Sequence, residues 1–216
     1  MKTFLWLSLI ALFPVVLSAL IYLTERTKAA SKMSYIAKQV ITGIMFGGLA
    51  ILGTEFGIKI DGAIINARDA SPICAGLLFG APAGIIAGII GGVERWLAVI
   101  WGAGEYTQLA CSVSTVLAGT FAAALRKYMF DNKKPKWYYC LAIAVITEIV
   151  HMLMIFLTNM NDVRTAFSFV RICSLPMIAV NGLAVMLAGA LLSLLSVREH
   201  KTAHHDLKNI SQSFQR

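Results

Sequence analysis

Arg68 and Arg95 stand at either end of an apolar stretch, with Asn66 and Asp69 beside the first and Glu94 beside the second. A guanidinium at membrane depth is costly and is usually retained for a ligand or an ion partner. Two of them facing one cavity would bind a small carboxylate through paired, charge-assisted hydrogen bonds. Two other uses of the same residues stay open. The charges could pair internally, Arg68 with Glu94 or Arg95 with Asp69, or both arginines could snorkel to the membrane surface. On a helix, consecutive side chains point about 100° apart. Neither acid is therefore expected to neutralise the arginine next to it, which would leave a net positive cavity.

Cys111, Ser112, Ser114 and Thr115 form a small polar patch in another apolar run. Cys111 and Ser114 are three residues apart and share a helix face, where they could line the same pocket. Hydroxyls inside a bundle also commonly bond the preceding carbonyl. Glu148 and His151 share a face in the same way. A Glu-x-x-His pair can ligate metal in a helical bundle, but that design draws on more carboxylates than the apolar part of this chain offers. A hydrogen-bonded pair that couples helix movement is the alternative. No nucleophile stands with a base, and there is no phosphate loop, so neither a catalytic site nor a cofactor is expected. The segment His205-Asp206-Leu207-Lys208-Asn209 is similar to the phospho-acceptor box of histidine kinases.

The elements that must position these residues are membrane helices. The 216-residue chain is 58% hydrophobic with a mean hydropathy of +0.74, above the half-apolar composition of soluble domains. Apolar runs fall at residues 4–23, 39–58, 63–79, 82–101, 106–125, 137–157 and 172–197. The first is too long for a signal-peptide core and is read as a retained span. The net charge of +8 concentrates in 24–38, 126–136 and the tail from Arg198. Such clustering marks cytoplasmic loops rather than nucleic-acid binding. The step Gly80-Ala81-Pro82 is either a kink in one long helix or a turn between two short ones. Only the turn keeps all three basic segments on one side, giving seven spans with the N-terminus outside and outer loops at 59–62, 102–105 and 158–171; a kink gives six. Gly76, Gly80, Gly84, Gly88 and Gly92 recur at a strict spacing of four, which draws a smooth stripe for close helix packing. The four cysteines all lie in apolar runs without a CxxC pair, so no disulfide framework or zinc site is expected. The reading is an all-α, polytopic membrane bundle of six to seven spans. It divides into an N-terminal span and basic loop (1–38), a transmembrane bundle (39–197) and a linker helix (198–216). In that linker Ala203, Leu207, Ile210 and Phe214 trace a short heptad seam, with a frayed amphipathic end or an interfacial helix as the alternatives.

Several motifs carry a family resemblance. They are Asn66-Ala67-Arg68, Ala75 to Gly84 with Gly88, and Gly92-Val93-Glu94-Arg95. With them go Gly53-Thr54 with Gly57, Leu109 to Thr115 with Gly119, Glu148 with Met152-Leu153, and Leu175-Pro176-Met177 with Asn181. In order over about 39–195, they resemble the membrane sensor domain of LytS/YhcK-type receptors. Glu55 departs from the pattern, standing where that family often has an aromatic residue. The resemblance implies an input module that feeds a histidine kinase or diguanylate cyclase, with a pyruvate-like carboxylate as ligand in some members. It implies ligand contacts at Arg68, Arg95, Cys111 and Ser114, and Asn66 is taken with them. It further implies a multi-pass protein of the bacterial cytoplasmic membrane, its C-terminus cytoplasmic. Its partners would be the lipid bilayer, a second copy through the C-terminal helix, and a downstream effector or response regulator. The Gly-Pro step also resembles substrate-binding S-components of energy-coupling-factor transporters, whose pocket carries a solute instead.

Overall fold

The computed structural model describes residues 2–60, 63–102 and 104–213. Side chains are described within them except at 2–4, 29–30, 60, 63 and 199–213. The seam through Leu207, Ile210 and Phe214 and the box at His205 therefore lie outside the described side chains.

The helices are α1 (Lys2–Thr24), α2 (Lys28–Ser31), α3 (Tyr35–Glu55), α4 (Ala70–Phe79), α5 (Ala81–Leu97), α6 (Gln108–Tyr128), α7 (Trp137–Thr158) and α8 (Val163–Ser213). Among the described residues, six of them are long and apolar enough to cross a membrane: α1, α3, α5 with its 3-10 extension to Trp101, α6, α7 and α8. Their leucines, isoleucines and phenylalanines face outward in numbers that water would not tolerate; Ile44, Ile89 and Leu153 are each about half exposed. The protein is an all-α polytopic bundle, with one small antiparallel hairpin of β1 (Ile58–Ile60) and β2 (Ala63–Ile65) in register Ile58 to Ile65.

Side-chain contacts define the two ends of the bundle. At one, Trp6 Nε1 donates to Phe56 O at 3.1 Å, Trp101 Nε1 to Glu55 Oε1 at 2.7 Å and Tyr106 OH to Asp162 O at 3.0 Å. At the other lie Gln39, Phe79, Arg126 and Lys134. Among the described residues, six long helices run between these ends. The stretch between the second and third of them, residues 58–79, is where the expectation of a regular third span fails. It consists of the hairpin, an extended stretch over 66–69 and α4, which is only ten residues or about 15 Å long. All ten residues of α4 are buried. Asn66, Arg68 and Asp69 explain the difference, because three polar side chains need partners that a lipid-facing helix cannot provide.

Both ends of α4 are buried, so their orphan backbone groups are met by side chains of other helices. Asn181 Oδ1 of α8 accepts from Ala70 N at 2.9 Å. Pro72, in the first turn, has no N–H to satisfy. At the far end the helix winds into a π turn, with Gly80 N donating to Ala75 O at 3.1 Å. Gln39 of α3 then joins two helices. Its Nε2 donates to Phe79 O at 3.1 Å and its Oε1 accepts from Ala83 N at 3.3 Å. Between them Gly80 has φ +155°, a conformation open essentially to glycine alone. A Cβ there would also lie 2.5 Å from Gln39 Oε1.

The glycine stripe does not run along one helix. Gly76 belongs to α4 and Gly80 to the break, while Gly84, Gly88 and Gly92 lie on α5. Those three press the backbone of α5 against Gly119, Thr115, Val116 and Ser112 of α6. On the opposite side α3 and α5 interlock through Gly43 and Gly47 against Ile86 and Ile90. The loop expected at 158–171 is shorter, because α8 begins at Val163. Asp162 Oδ1 caps it by accepting from Thr165 N at 3.2 Å. From there α8 continues to Ser213 without a break at residue 198.

Candidate functional site

The extended stretch before α4 is built by Asn66. Its Oδ1 accepts from Arg68 N at 3.2 Å, its Nδ2 donates to Ile64 O at 3.3 Å, and its own carbonyl accepts from Asn181 Nδ2 at 3.2 Å. This geometry turns Arg68 and Asp69 into the same space. Because neither residue lies within a regular helix, the 100° separation expected for neighbours does not apply. Arg68 Nε lies 3.2 Å from Asp69 Oδ1, and both side chains are fully buried.

A network closes around this pair. Arg68 Nε also donates to Thr115 Oγ1 at 2.7 Å, Nη1 to Thr54 Oγ1 at 3.4 Å and Nη2 to Cys111 O at 3.3 Å. The Thr115 hydroxyl in turn donates to Asp69 Oδ1 at 2.7 Å. His151 Nδ1 donates to Asp69 Oδ2 at 2.7 Å, and Nε2 faces Cys111 Sγ at 3.4 Å. The expected internal pairings were Arg68 with Glu94 or Arg95 with Asp69. The pairing found is Arg68 with Asp69, relayed to His151.

Arg95 sits in a different setting. Its Nη2 donates to Gly104 O at 2.7 Å and to Thr107 Oγ1 at 3.2 Å. Its Nε and Nη1 are buried with Cys111 nearby and otherwise no hydrogen-bond partner in the protein, although the residue is only 1% exposed. Ser112 Oγ and Ser114 Oγ are likewise buried without a hydrogen-bond partner, whereas Glu94 has Thr54, Glu55 and Arg68 around it and Glu148 Oε2 lies 3.9 Å from His151 Nδ1. Cys111 and Arg68 both lie within electrostatic reach of Arg95. Of the five expected ligand residues, Arg68 and Cys111 meet directly and Arg95 flanks them. Asn66 is spent on bracing the backbone. Ser114 lies on α6, three residues beyond Cys111, with its hydroxyl uncommitted.

Asp69, Glu148 and His151 bring ligand atoms within 4.8 Å of one another, the one arrangement that could interest a metal among those described above. The Arg68 guanidinium already supplies the cation that Asp69 needs, which weighs against a divalent ion there. Residue types alone did not single out Thr54, Thr107 or Asn181 as partners of the charged groups. Thr54 and Asn181 stand inside the motif blocks, so the signal for them was present; Thr107 carried none.

The blocks that converge here come from α3, the approach to α4, α5, α6, α7 and α8. Residues 21–194 match the five-transmembrane receptor family of the LYT type (5TMR of 5TMR-LYT). The chain belongs to that family. Among curated relatives, the LYT-type module is 28% identical to the sensor histidine kinase BtsS of Escherichia coli K12 over 142 residues, 64% of this chain and 24% of that one. It is 30% identical to the sensor protein LytS of Bacillus cereus over 65% of this chain and 23% of that protein. Against the sensor protein LytS of Staphylococcus haemolyticus the identity is 32% over 70% of this chain and 26% of that one. The chain thus spans about a quarter of the length of these relatives. No solved structure matches it. It is a membrane sensor module of a LytS-like signalling receptor.

Proposed function

We propose that the module binds a small carboxylate such as pyruvate from the outer side and passes the change to α8. The observation that carries this reading is Arg95, a buried guanidinium whose Nε and Nη1 have Cys111 nearby and otherwise no hydrogen-bond partner in the protein. A carboxylate would accept a charge-assisted hydrogen bond at one of these two edges of the guanidinium. The Ser114 hydroxyl would serve a keto oxygen, and the Cys111 thiol would line the same space. Arg68 acts as a fixed positive wall, held by Asp69, while Asn66 holds the backbone behind it. A ligand drawing on Arg68 or Cys111 would disturb the relay to Asp69 and His151, and through Asn181 it would reach α8. In a receptor carrying this module, the C-terminal segment after α8 leaves the bundle would pair with a second copy through Leu207, Ile210 and Phe214. It would lead to a histidine kinase or diguanylate cyclase in the bacterial cytoplasmic membrane, its C-terminal end cytoplasmic.

Calorimetry on the purified module tests the ligand. Pyruvate should bind wild type. Arg95→Ala should lose about 2–5 kcal/mol of binding, the cost of breaking a desolvated charge pair on one side, while remaining folded. Unchanged affinity in Arg95→Ala would remove this site. Uptake of labelled pyruvate into proteoliposomes would favour an S-component-like solute carrier over a sensor.

A further inference from the structure

The end of the bundle opposite the Arg68 network holds a cavity of about 450 Å³. Tyr22 and Arg26 of the α1 end, Lys38 and Gln39 of α3, Arg126 of α6 and Lys134 of the α6–α7 loop line it. Glu25 is the acid of its lining, against four cations. Loop lysines and arginines that merely mark topology stay solvated at the surface. Arg26 and Lys134 are exposed in that way, but Arg126 is buried. Arg126 is 9% exposed, its Nη1 donates to Leu77 O at 2.5 Å, and its Nε is buried without a protein partner. Lys134 lies over the rings of Tyr22 at 4.3 Å and Phe79 at 5.8 Å, and Arg26 over Tyr22 at 4.4 Å. Arg126 is thus fixed by the fold, Arg26 and Lys134 rest on aromatic rings, and Lys38 completes the lining of one concave space.

We propose that this cavity is a binding site for a phosphate group. Guanidinium and ammonium groups converging on a partly desolvated space suit a compact, multiply acceptor-bearing anion. Basic pockets between membrane helices at the bilayer surface take phosphorylated headgroups by the same chemistry. The phosphate could arrive on an anionic phospholipid or on a soluble ester. In either case it would sit against the C-terminal end of α4, since Arg126 and Gln39 also hold the carbonyls of Leu77 and Phe79. Occupancy would therefore stiffen α4, whose other end begins at Asp69. The site does not depend on the identity of the outer ligand.

The test uses the whole module in phosphatidylcholine nanodiscs. Thermal stability is followed as inorganic phosphate is added, and separately as phosphatidylglycerol replaces part of the lipid. A rise in Tm with either probe is expected, and the arm that responds names the source. Lys38→Gln and Lys134→Gln should each weaken the response at least tenfold in concentration, and Arg126→Gln should abolish it. Lys127→Gln, a neighbouring lysine outside the cavity, should leave it intact. Native mass spectrometry should find bound phosphate or phosphatidylglycerol on wild type and lose it in the Lys38→Gln and Lys134→Gln variants, which keeps the question open to decision if Arg126→Gln fails to fold. No response to either probe would overturn the proposal. An equal loss in Lys127→Gln would reduce it to general surface charge and overturn it as well.

Discussion

Asp69 answers three groups at once: Arg68, the Thr115 hydroxyl and the His151 imidazole. Removing its charge leaves a buried guanidinium without its counter-ion. Asp69→Asn should therefore destabilise the module by about 3–5 kcal/mol, the usual cost of breaking a buried ion pair on one side. Thr115→Val, which keeps the shape and removes one hydroxyl, should cost about 1–3 kcal/mol. Denaturation in detergent ranks the two, and a wild-type Asp69→Asn would mean the network does not hold the fold. At this scale the sequence made the participants visible but not their pairing. Arg68, Cys111 and His151 stood out as polar groups in apolar runs. That Arg68 pairs with its own neighbour depends on the backbone leaving the helix at residues 66–69, and no spacing rule reports that.

The helices meet where side chains are smallest. A Cβ on Gly84 would lie 2.9 Å from Gly119 O and closer still to Gly76 Cα, so even Gly84→Ala should force α5 and α6 apart. Gly48 of α3 has nothing within 4 Å of the same position. Gly48→Ala should be neutral or gain about 1 kcal/mol from helix propensity. Comparing the melting temperatures of the two variants checks the packing directly; equal behaviour would show that α5 and α6 do not press together at Gly84. Six of the helices were legible as apolar runs of about twenty residues. The strict period of four in the glycines was legible too, but it suggested a single stripe. The period continues across a break at Gly80 because both α4 and α5 must lie flat against α6, and repetition cannot distinguish two short helices from one long one. The hairpin at 58–65 left no clear trace, since strands of three residues are too short to show alternation.

Across the whole molecule, the basic segments gather at the end that holds Gln39, Phe79 and Arg126. Cysteines placed at Ser31 and Asn132, both exposed, should be shielded from an impermeant reagent applied to intact cells. A cysteine at Glu105, exposed at the opposite end, should be labelled. Labelling at 132 from outside would reverse the proposed orientation. Charge counted along the sequence predicts seven passages, and six long apolar helices are present among the described residues. The unequal construction of the third follows only from where its polar residues find partners.

The burial of α4 also bears on the order in which the protein is made. A segment that shows no residue to lipid, carries Arg68 and Asp69 at its entrance and spans about half of a 30 Å hydrocarbon layer has no stable place in a bare bilayer. It must wait at the surface while the flanking helices insert, and enter once α6 and α8 offer Thr115, Arg126 and Asn181. The expectation is then that α4 enters late, between helices already in place. Chains halted after residue 135, before α7 and α8 exist, should leave a cysteine at Ser71 open to impermeant reagents from the outer side, and the full chain should close it. Protection already present in the halted chain would mean that α4 inserts on its own.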